Sequence, residues 1–255
     1  INPQGLKGGT YSPEDGNLSP MMAAHAFYKQ AKNLGAAFKF QEKVIGIERE
    51  NGTGIKVKTS KGTYESEKLV NAAGANAREI GKLMGVDLPV MPDSHEGGVT
   101  EPVKQFFNPM VVDIREFPGS KNFYFYQEVE GHIVFCLTPQ PIIPGLNRDS
   151  TSDFLPQAGR RLIRLFPRLK NIRVRRTWRG LYPMTPDGVP IVDQIKDSNG
   201  FYVAVGFCGQ GLMLGPGIAL NLVSLITKGK PILPEEVFRS YSLCRDYSRP
   251  SEALK

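Results

Sequence analysis

Residues 206–217 read GFCGQGLMLGPG, five glycines in twelve positions, and run directly into the apolar stretch IALNLVSLI. Ordering so many glycines is costly in backbone entropy, so the stretch calls for a purpose. A phosphate loop, a tight turn and a ligand cradle are the three readings. The phosphate loop fails first: there is no G-x-x-x-x-G-K-[ST] here, and no G-x-G-x-x-G anywhere in the chain. FYVAVGF, just before, reads as a nearly continuous apolar strand of the buried parallel kind. On the other side, residues 216–228 read as a helix, with Pro216 in its first turn and Gly229 past its end. The unit is therefore strand, glycine turn, helix.

A second unit of this kind lies upstream. KLVNAAGANAREIGKLMGV (68–86) passes from a short apolar strand through Gly74 into a helical stretch that closes at Gly85. Small residues there let a ligand approach the backbone, and a helix N-terminus favours negative charge. Ser19 and Pro20 open a helix over 19–35, with Ala23, Ala26, Phe27 and Leu34 at helical spacing. VIGIERE, IKVKTS and TYESEK come next as hairpin strands split by NGTG and KG. From Pro89 to about Gln140 the pattern is β-rich. In NFYFYQE, Phe123 and Phe125 alternate with Tyr124 and Tyr126, as in a sheet whose two faces are used differently. Residues 152–166 return to helix, with Phe154, Ala158, Leu162 and Leu165 on one stripe, and TPDG (185–188) is a turn signature.

At 255 residues, 40% hydrophobic and 22% charged, the chain has the composition of an ordinary globular protein with room for one large domain or two small ones. Three cysteines without metal-like spacing point to a reducing, cytoplasmic setting. No apolar run is read as spanning a membrane, and no N-terminal signal pattern is present. The net charge of +7 gathers in Arg160, Arg161, Arg164, Arg168, Lys170, Arg173, Arg175, Arg176 and Arg179. This run is read as a solvated helix face and edge strand rather than a nucleic-acid surface, since no nucleic-acid motif or aromatic platform accompanies it. No G-x-S-x-G elbow or H-E-x-x-H occurs, and His25, His95 and His132 are scattered. His25 reads as a surface or packing residue, whereas His95 precedes the VTEPV strand. The opening INPQGLKGGTYSPEDG has no strand–glycine–helix unit and reads as a chain that begins midway through something.

Six segments in order carry a resemblance: GGTYSPEDGNLSP, EKVIGIE, LVNAAGANAREIGKLMGVDLPV, HEGGVTEPV, WRGLYPMTPDGVPIV and GFCGQGLMLGPGIALNLVSLI. Together they resemble the D-amino-acid-oxidase-like family of FAD-dependent oxidoreductases, in its branch of sarcosine, dimethylglycine and glycine oxidases and proline dehydrogenases. The resemblance implies an α+β fold: a partial, Rossmann-like FAD-binding domain from residues 1–90 and 191–255, lacking its N-terminal βαβ unit, and a substrate domain at 91–190 on a large mixed β-sheet. Family members hold the FAD pyrophosphate on a G-x-G-x-x-G unit that this sequence lacks.

Carried over by motif, Val44 matches the residue whose main chain meets the adenine. Ala72, Ala73, Gly74 and Asn76 match the strand end beside the dinucleotide. Gly209, Gln210, Gly211, Leu212 and Met213 match the segment that offers backbone N–H groups to the flavin pyrimidine edge, where reduced flavin gathers negative charge. Gln210 stands where the family commonly has histidine. Gly180 stands where members with covalent flavin can carry cysteine, so FAD is expected to be held non-covalently. Tyr182 stands where members acting on glycine-like carboxylates can carry arginine. The substrate carboxylate is left to Tyr182, Arg179, Tyr124, Tyr126 and His95 as candidates. The implied reaction is oxidation of a small amino acid or N-methyl amino acid by hydride transfer from Cα to flavin N5, with no protein base assigned. A 2-hydroxy-acid dehydrogenase is the alternative chemistry. A non-catalytic fragment or subunit, needing a partner chain with the N-terminal unit to bind FAD, is the alternative role.

Overall fold

A computed structural model of the chain describes residues 1–50, 54–196, 198 and 200–248. In chain order the elements are α1 (Pro20–Asn33), β1 (Val44–Arg49), β2 (Ile55–Thr59), β3 (Thr63–Ser66), β4 (Leu69–Asn71), α2 (Ala77–Leu83), β5 (Met91–Thr100), β6 (Val111–Asp113), β7 (Ser120–Gln127) and β8 (Ile133–Pro139). They continue with α3 (Phe154–Leu165), β9 (Val174–Met184), β10 (Ile191–Gln194), β11 (Phe201–Val205), α4 (Gly211–Lys228) and α5 (Glu235–Phe238). Two compact units result. One joins Ile1–Gly16 to Pro92–Tyr182, and the other joins Asn17–Met91 to the described chain from Pro183 onward. Residues 1–16, assigned from sequence to the flavin domain, group with the first unit: Asn2 N–H donates to Leu165 O and Arg115 Nη1 to Gln4 O. Residues 183–190 group with the second.

The first unit is built on a five-stranded sheet, β6-β7-β8-β5-β9, in which β6/β7, β7/β8 and β8/β5 pair antiparallel. The alternation along β7 and β8 sends Phe123, Phe125, Ile133, Phe135 and Leu137 to one face, where they are buried with Phe154, Ala158, Leu162 and Leu165 of α3. The helical stripe expected over 152–166 is this contact. One member of the basic run departs from the solvated reading: Arg161 is 2% exposed. Its position falls on the same inward side of α3, where Ser120 Oγ and the Asp113 and Arg115 carbonyls accept its hydrogen bonds and the Asp113 carboxylate pairs its charge.

Gly98 lies opposite Phe135 on this core face. A Cβ there would sit 2.4 Å from Phe135 Cζ, and one at neighbouring Gly97 would sit 2.8 Å from Trp178 Cζ2. The paired glycines thus leave room for the Phe135 and Trp178 rings to come close to β5. Gly98→Ala is expected to destabilise the chain by about 1–3 kcal/mol through overpacking, read as a lower denaturation midpoint; an unchanged midpoint would show that Phe135 has room to yield.

In the second unit, β10-β11-β4 form a sheet with β11 parallel to β4 and antiparallel to β10. Phe201, Val203 and Val205 pack with Ile191, Leu88, Val90 and Ala77 on one side. Tyr202 and Val192 pack with Ile218 and Leu222 of α4 and Phe238 of α5 on the other. β1-β2-β3 form a separate antiparallel sheet, as the hairpin punctuation implies. α1 forms where expected, with Ser19 Oγ accepting from Met22 N–H and Pro20 in the first turn. None of its residues is buried, so its apolar stripe is not a core face in this chain.

α4 corrects the sequence reading at its start. The helix begins at Gly211, five residues earlier than expected, and Pro216 lies inside it. Positive φ at Gly206 (72°) and Cys208 (54°) turns the chain after β11, and Gln210 N–H closes onto Phe207 O. Glycines 211, 215 and 217 are consequently helical rather than loop residues. α4 also has the length and mean hydropathy (18 residues, 1.3) of a membrane-crossing helix, which the reading of the apolar runs overlooked. Its residues Ile218 and Leu222 are buried against the sheet of the second unit. Gly229 ends it in the left-handed conformation, as expected.

Candidate functional site

Two groups of residues gather, one in each unit. In the first unit the sheet face away from α3 carries Tyr124 and Tyr126 of β7 and Cys136 of β8, with Tyr124 paired to Cys136 and Cys136 to Gly97. His95 of β5 and Tyr182 of β9 complete the group: their rings stack at 3.9 Å between centroids and 13° between planes. Tyr182 Oη lies 3.5 Å from Tyr124 Oη. Four of the five expected substrate residues are therefore on one face. Arg179 is not brought to them. It alternates with Gly180 and Tyr182 along β9, and its Nη1 donates to Asp149 O (2.9 Å) in the segment between β8 and α3.

Burial governs the chemistry of this face. It pushes the Tyr124, Tyr182 and Tyr126 phenols above their usual range, with Cys136 adding to the first two and Glu128 to the third. Burial also raises the Cys136 thiol to about 11. At neutral pH these groups are protonated, so the tyrosines are hydrogen-bond donors and not bases. Sequence reasoning missed Asp93 and Cys136. Asp93 Oδ2 lies 3.0 Å from His95 Nε2, both residues being 4% exposed. The i, i+2 spacing in a strand was the available signal.

In the second unit the residues matched to the flavin surround the start of α4. The N–H groups at the first turn of an α-helix have no intrahelical acceptor, and the dipole adds positive potential. Gly211, Leu212 and Met213 occupy that turn; all three are exposed, as is Gly209, with Gln210 as the N-cap. A Cβ at Gly215 or Gly217 would meet nothing within 4 Å, and one at Gly211 only Phe207 Cβ at 3.6 Å. Packing within the chain therefore does not require these glycines, and their missing side chains leave the start of the helix open. Gly180 of the first unit is alike: its Cβ would meet nothing, and its φ is not positive. The start of α4, taken by itself, fits the ring end of a flavin.

The strand end Ala72–Gly74 leads into a short 3-10 turn, Gly74–Asn76, before the seven-residue α2. The helical stretch expected there is thus short. Ala72 and Asn76 are exposed, and Gly74 has φ 54°. The turn is held by buried Asn71, which donates from Nδ2 to Ala77 O and accepts the Ala73 N–H. Val44 opens β1, an edge strand of its sheet.

With this geometry in place, comparison with known proteins assigns the class. The family model described as FAD dependent oxidoreductase (DAO) matches residues 1–225. The chain belongs to that family, whose cofactor is FAD. It is 29% identical over 240 residues to sarcosine oxidase subunit beta of Rhizobium meliloti (strain 1021), covering 92% of this chain and 55% of the relative. It is also 29% identical over 254 residues to mitochondrial dimethylglycine dehydrogenase of Mus musculus, covering 91% and 28%. Among solved structures, L-proline dehydrogenase from P. horikoshii superposes with a TM-score of 0.78 at 34% identity, over 88% of this chain and 59% of that one. The chain thus spans little more than half the length of the first of these relatives and of the solved structure.

Proposed function

We propose that this chain carries the substrate face and the flavin-ring cradle of an FAD-dependent enzyme that oxidises a small amino acid or N-methyl amino acid of the sarcosine, dimethylglycine, glycine or proline type. The observation that carries the reading is the exposed first turn of α4, whose N–H donors have no intrahelical acceptor, with glycines that internal packing does not require. Gly211, Leu212 and Met213 would hold the electron-rich edge of a non-covalently bound flavin. When bound, FAD supplies the hydride acceptor for the substrate's Cα–H. Tyr124 and Tyr182, kept protonated by burial, donate hydrogen bonds to the substrate carboxylate and orient it. No side chain is assigned as a base.

Since relatives are longer than this chain, the grip on the FAD pyrophosphate is proposed to come from a segment outside these 255 residues, on the same polypeptide or a partner subunit. Free Cys136, Cys208 and Cys244 support a reducing, cytoplasmic setting.

Flavin absorbance after titration with FAD tests the cradle, with the chain alone and with a segment carrying G-x-G-x-x-G added. Anaerobic bleaching by sarcosine or proline, but not by lactate or 2-hydroxyglutarate, is the expected outcome; bleaching by the hydroxy acids alone would replace the amine reading. Gly180→Val is expected to leave unfolding within about 0.5 kcal/mol of the parent. The same change should weaken FAD binding about tenfold or more, roughly 1.4 kcal/mol. Undiminished FAD affinity would remove Gly180 from the cofactor-binding set.

A further inference from the structure

Asp93 makes two bonds that reach in different directions. Oδ1 accepts the Ile143 N–H at 2.8 Å, in the segment joining β8 to α3, and Oδ2 meets His95 Nε2 at 3.0 Å. The carboxyl is held below its usual range: burial works to raise it, but the bonds from His95 and Ile143 outweigh that effect. An ionised carboxylate only accepts, so the hydrogen between them belongs to His95 Nε2. His95 Nδ1 is buried and has no partner among the described residues. In the neutral ring it is then the unprotonated nitrogen, because a buried, unbonded N–H is the rarer and costlier arrangement.

The segment carrying Ile143 is tied to β5 by further bonds, among them Gly145 N–H to Pro92 O. Ser94 N–H donates to Ile143 O and its Oγ to Asn147 O, while Glu96 accepts from Thr151 N–H and Thr151 Oγ1. Asp93 is thus clamped from outside the tyrosine face and passes that constraint to His95, whose ring lies flat on Tyr182. Without the carboxylate the imidazole could rotate and exchange tautomers, and Tyr182 would lose its fixed partner.

We propose that Asp93 is a positioning residue: it locks the tautomer and orientation of His95 and, through the stacked ring, sets the place of the Tyr182 phenol on the proposed substrate face. The tautomer lock needs no catalysis, and only the placement of the phenol for substrate rests on the proposed function.

The test is nuclear magnetic resonance on the full chain, labelled with 15N-histidine and with 13Cζ-tyrosine. Only three histidines are present, so H95Q and Y182F identify the two signals of interest. The expected result is a single His95 tautomer with Nε2 protonated and Nδ1 bare. In D93N, which preserves side-chain size and an acceptor for Ile143, that pattern should give way to mixed or inverted tautomers, and the Tyr182 13Cζ signal should shift. D93A should do the same more strongly. A protonated Nδ1 in the wild type, or an unchanged His95 and Tyr182 in folded D93N, overturns the proposal. A Tyr182 signal that responds to Asp93 but is unmoved by sarcosine, glycine or proline in the FAD-loaded protein would defeat the substrate-face reading and keep the tautomer lock.

Discussion

Arg245→Ala is expected to cost the second unit about 3–5 kcal/mol at neutral pH, because it strands a buried carboxylate. Arg245 and Asp187 are 8% and 5% exposed and joined through two bonds, Nε to Oδ2 at 2.7 Å and Nη2 to Oδ1 at 2.8 Å. The guanidinium also donates to Val189 O, Pro190 O and Ser242 O and lies over the Tyr247 ring. One side chain therefore clips the C-terminal segment onto the TPDG turn. Burial would raise the Asp187 carboxyl, but the bonds from Arg245 pull it below its usual range. Its folded value lies below the unfolded one, near 3.9. The stability it contributes is therefore complete above about pH 4 and lost as pH falls through the folded value. Without Arg245, burial dominates and the carboxyl takes up its proton at higher pH. The gap between parent and variant should then narrow on acidification from pH 7 to pH 4. Urea denaturation at the two pH values measures both quantities. A loss under about 1 kcal/mol, or an equal gap at both pH values, contradicts the account.

Arg161→Ala should cost the first unit a similar amount, about 3–5 kcal/mol. The Arg161 head donates to Ser120 Oγ (3.0 Å), Asp113 O (3.1 Å) and Arg115 O (2.7 Å), and it pairs with Asp113 Oδ2 at 3.3 Å. It also lies 5.7 Å from the Phe123 ring centroid and 6.0 Å from that of Phe117. Truncation removes the packed stem and the Arg161 hydrogen bonds to the two carbonyls and Ser120. Arg161→Met refills the volume while Asp113 keeps Arg115, so it should cost about 1–3 kcal/mol less than alanine. If methionine proves as damaging as alanine, the hydrogen bonds and not the packing carry the effect. Chemical denaturation of the three proteins decides.

These two arginines show where sequence reading reaches its limit. The α3 stripe of Phe154, Ala158, Leu162 and Leu165 was legible because helical periodicity repeats over four apolar positions. Arg161 sits on the same inward side, yet a single charge in a basic run carries no sign of the carbonyls that await it. The TPDG turn was legible from local chemistry, with Gly188 at φ 71° and its N–H on Thr185 O. That Arg245, 58 residues later, would pair with its aspartate was not.

The candidate site divides in the same way. The alternation of Phe123, Tyr124, Phe125 and Tyr126 determined that the tyrosines share a face, since strand geometry forces it. The glycine stretch determined a turn between strand and helix, and six ordered segments determined the family. The start of α4 was misplaced because proline is favoured in a first turn, whereas here the helix carries Pro216 past its first turn at the loss of one backbone bond. Only the tertiary structure decided which face α3 covers, that Arg179 turns away from the tyrosines, and that Asp93 bonds to His95 while His95 stacks on Tyr182. The physical reason is range. Periodicity and turn chemistry act over a few residues, whereas a stack between β5 and β9 joins positions 87 apart in sequence, and only strand pairing brings them together.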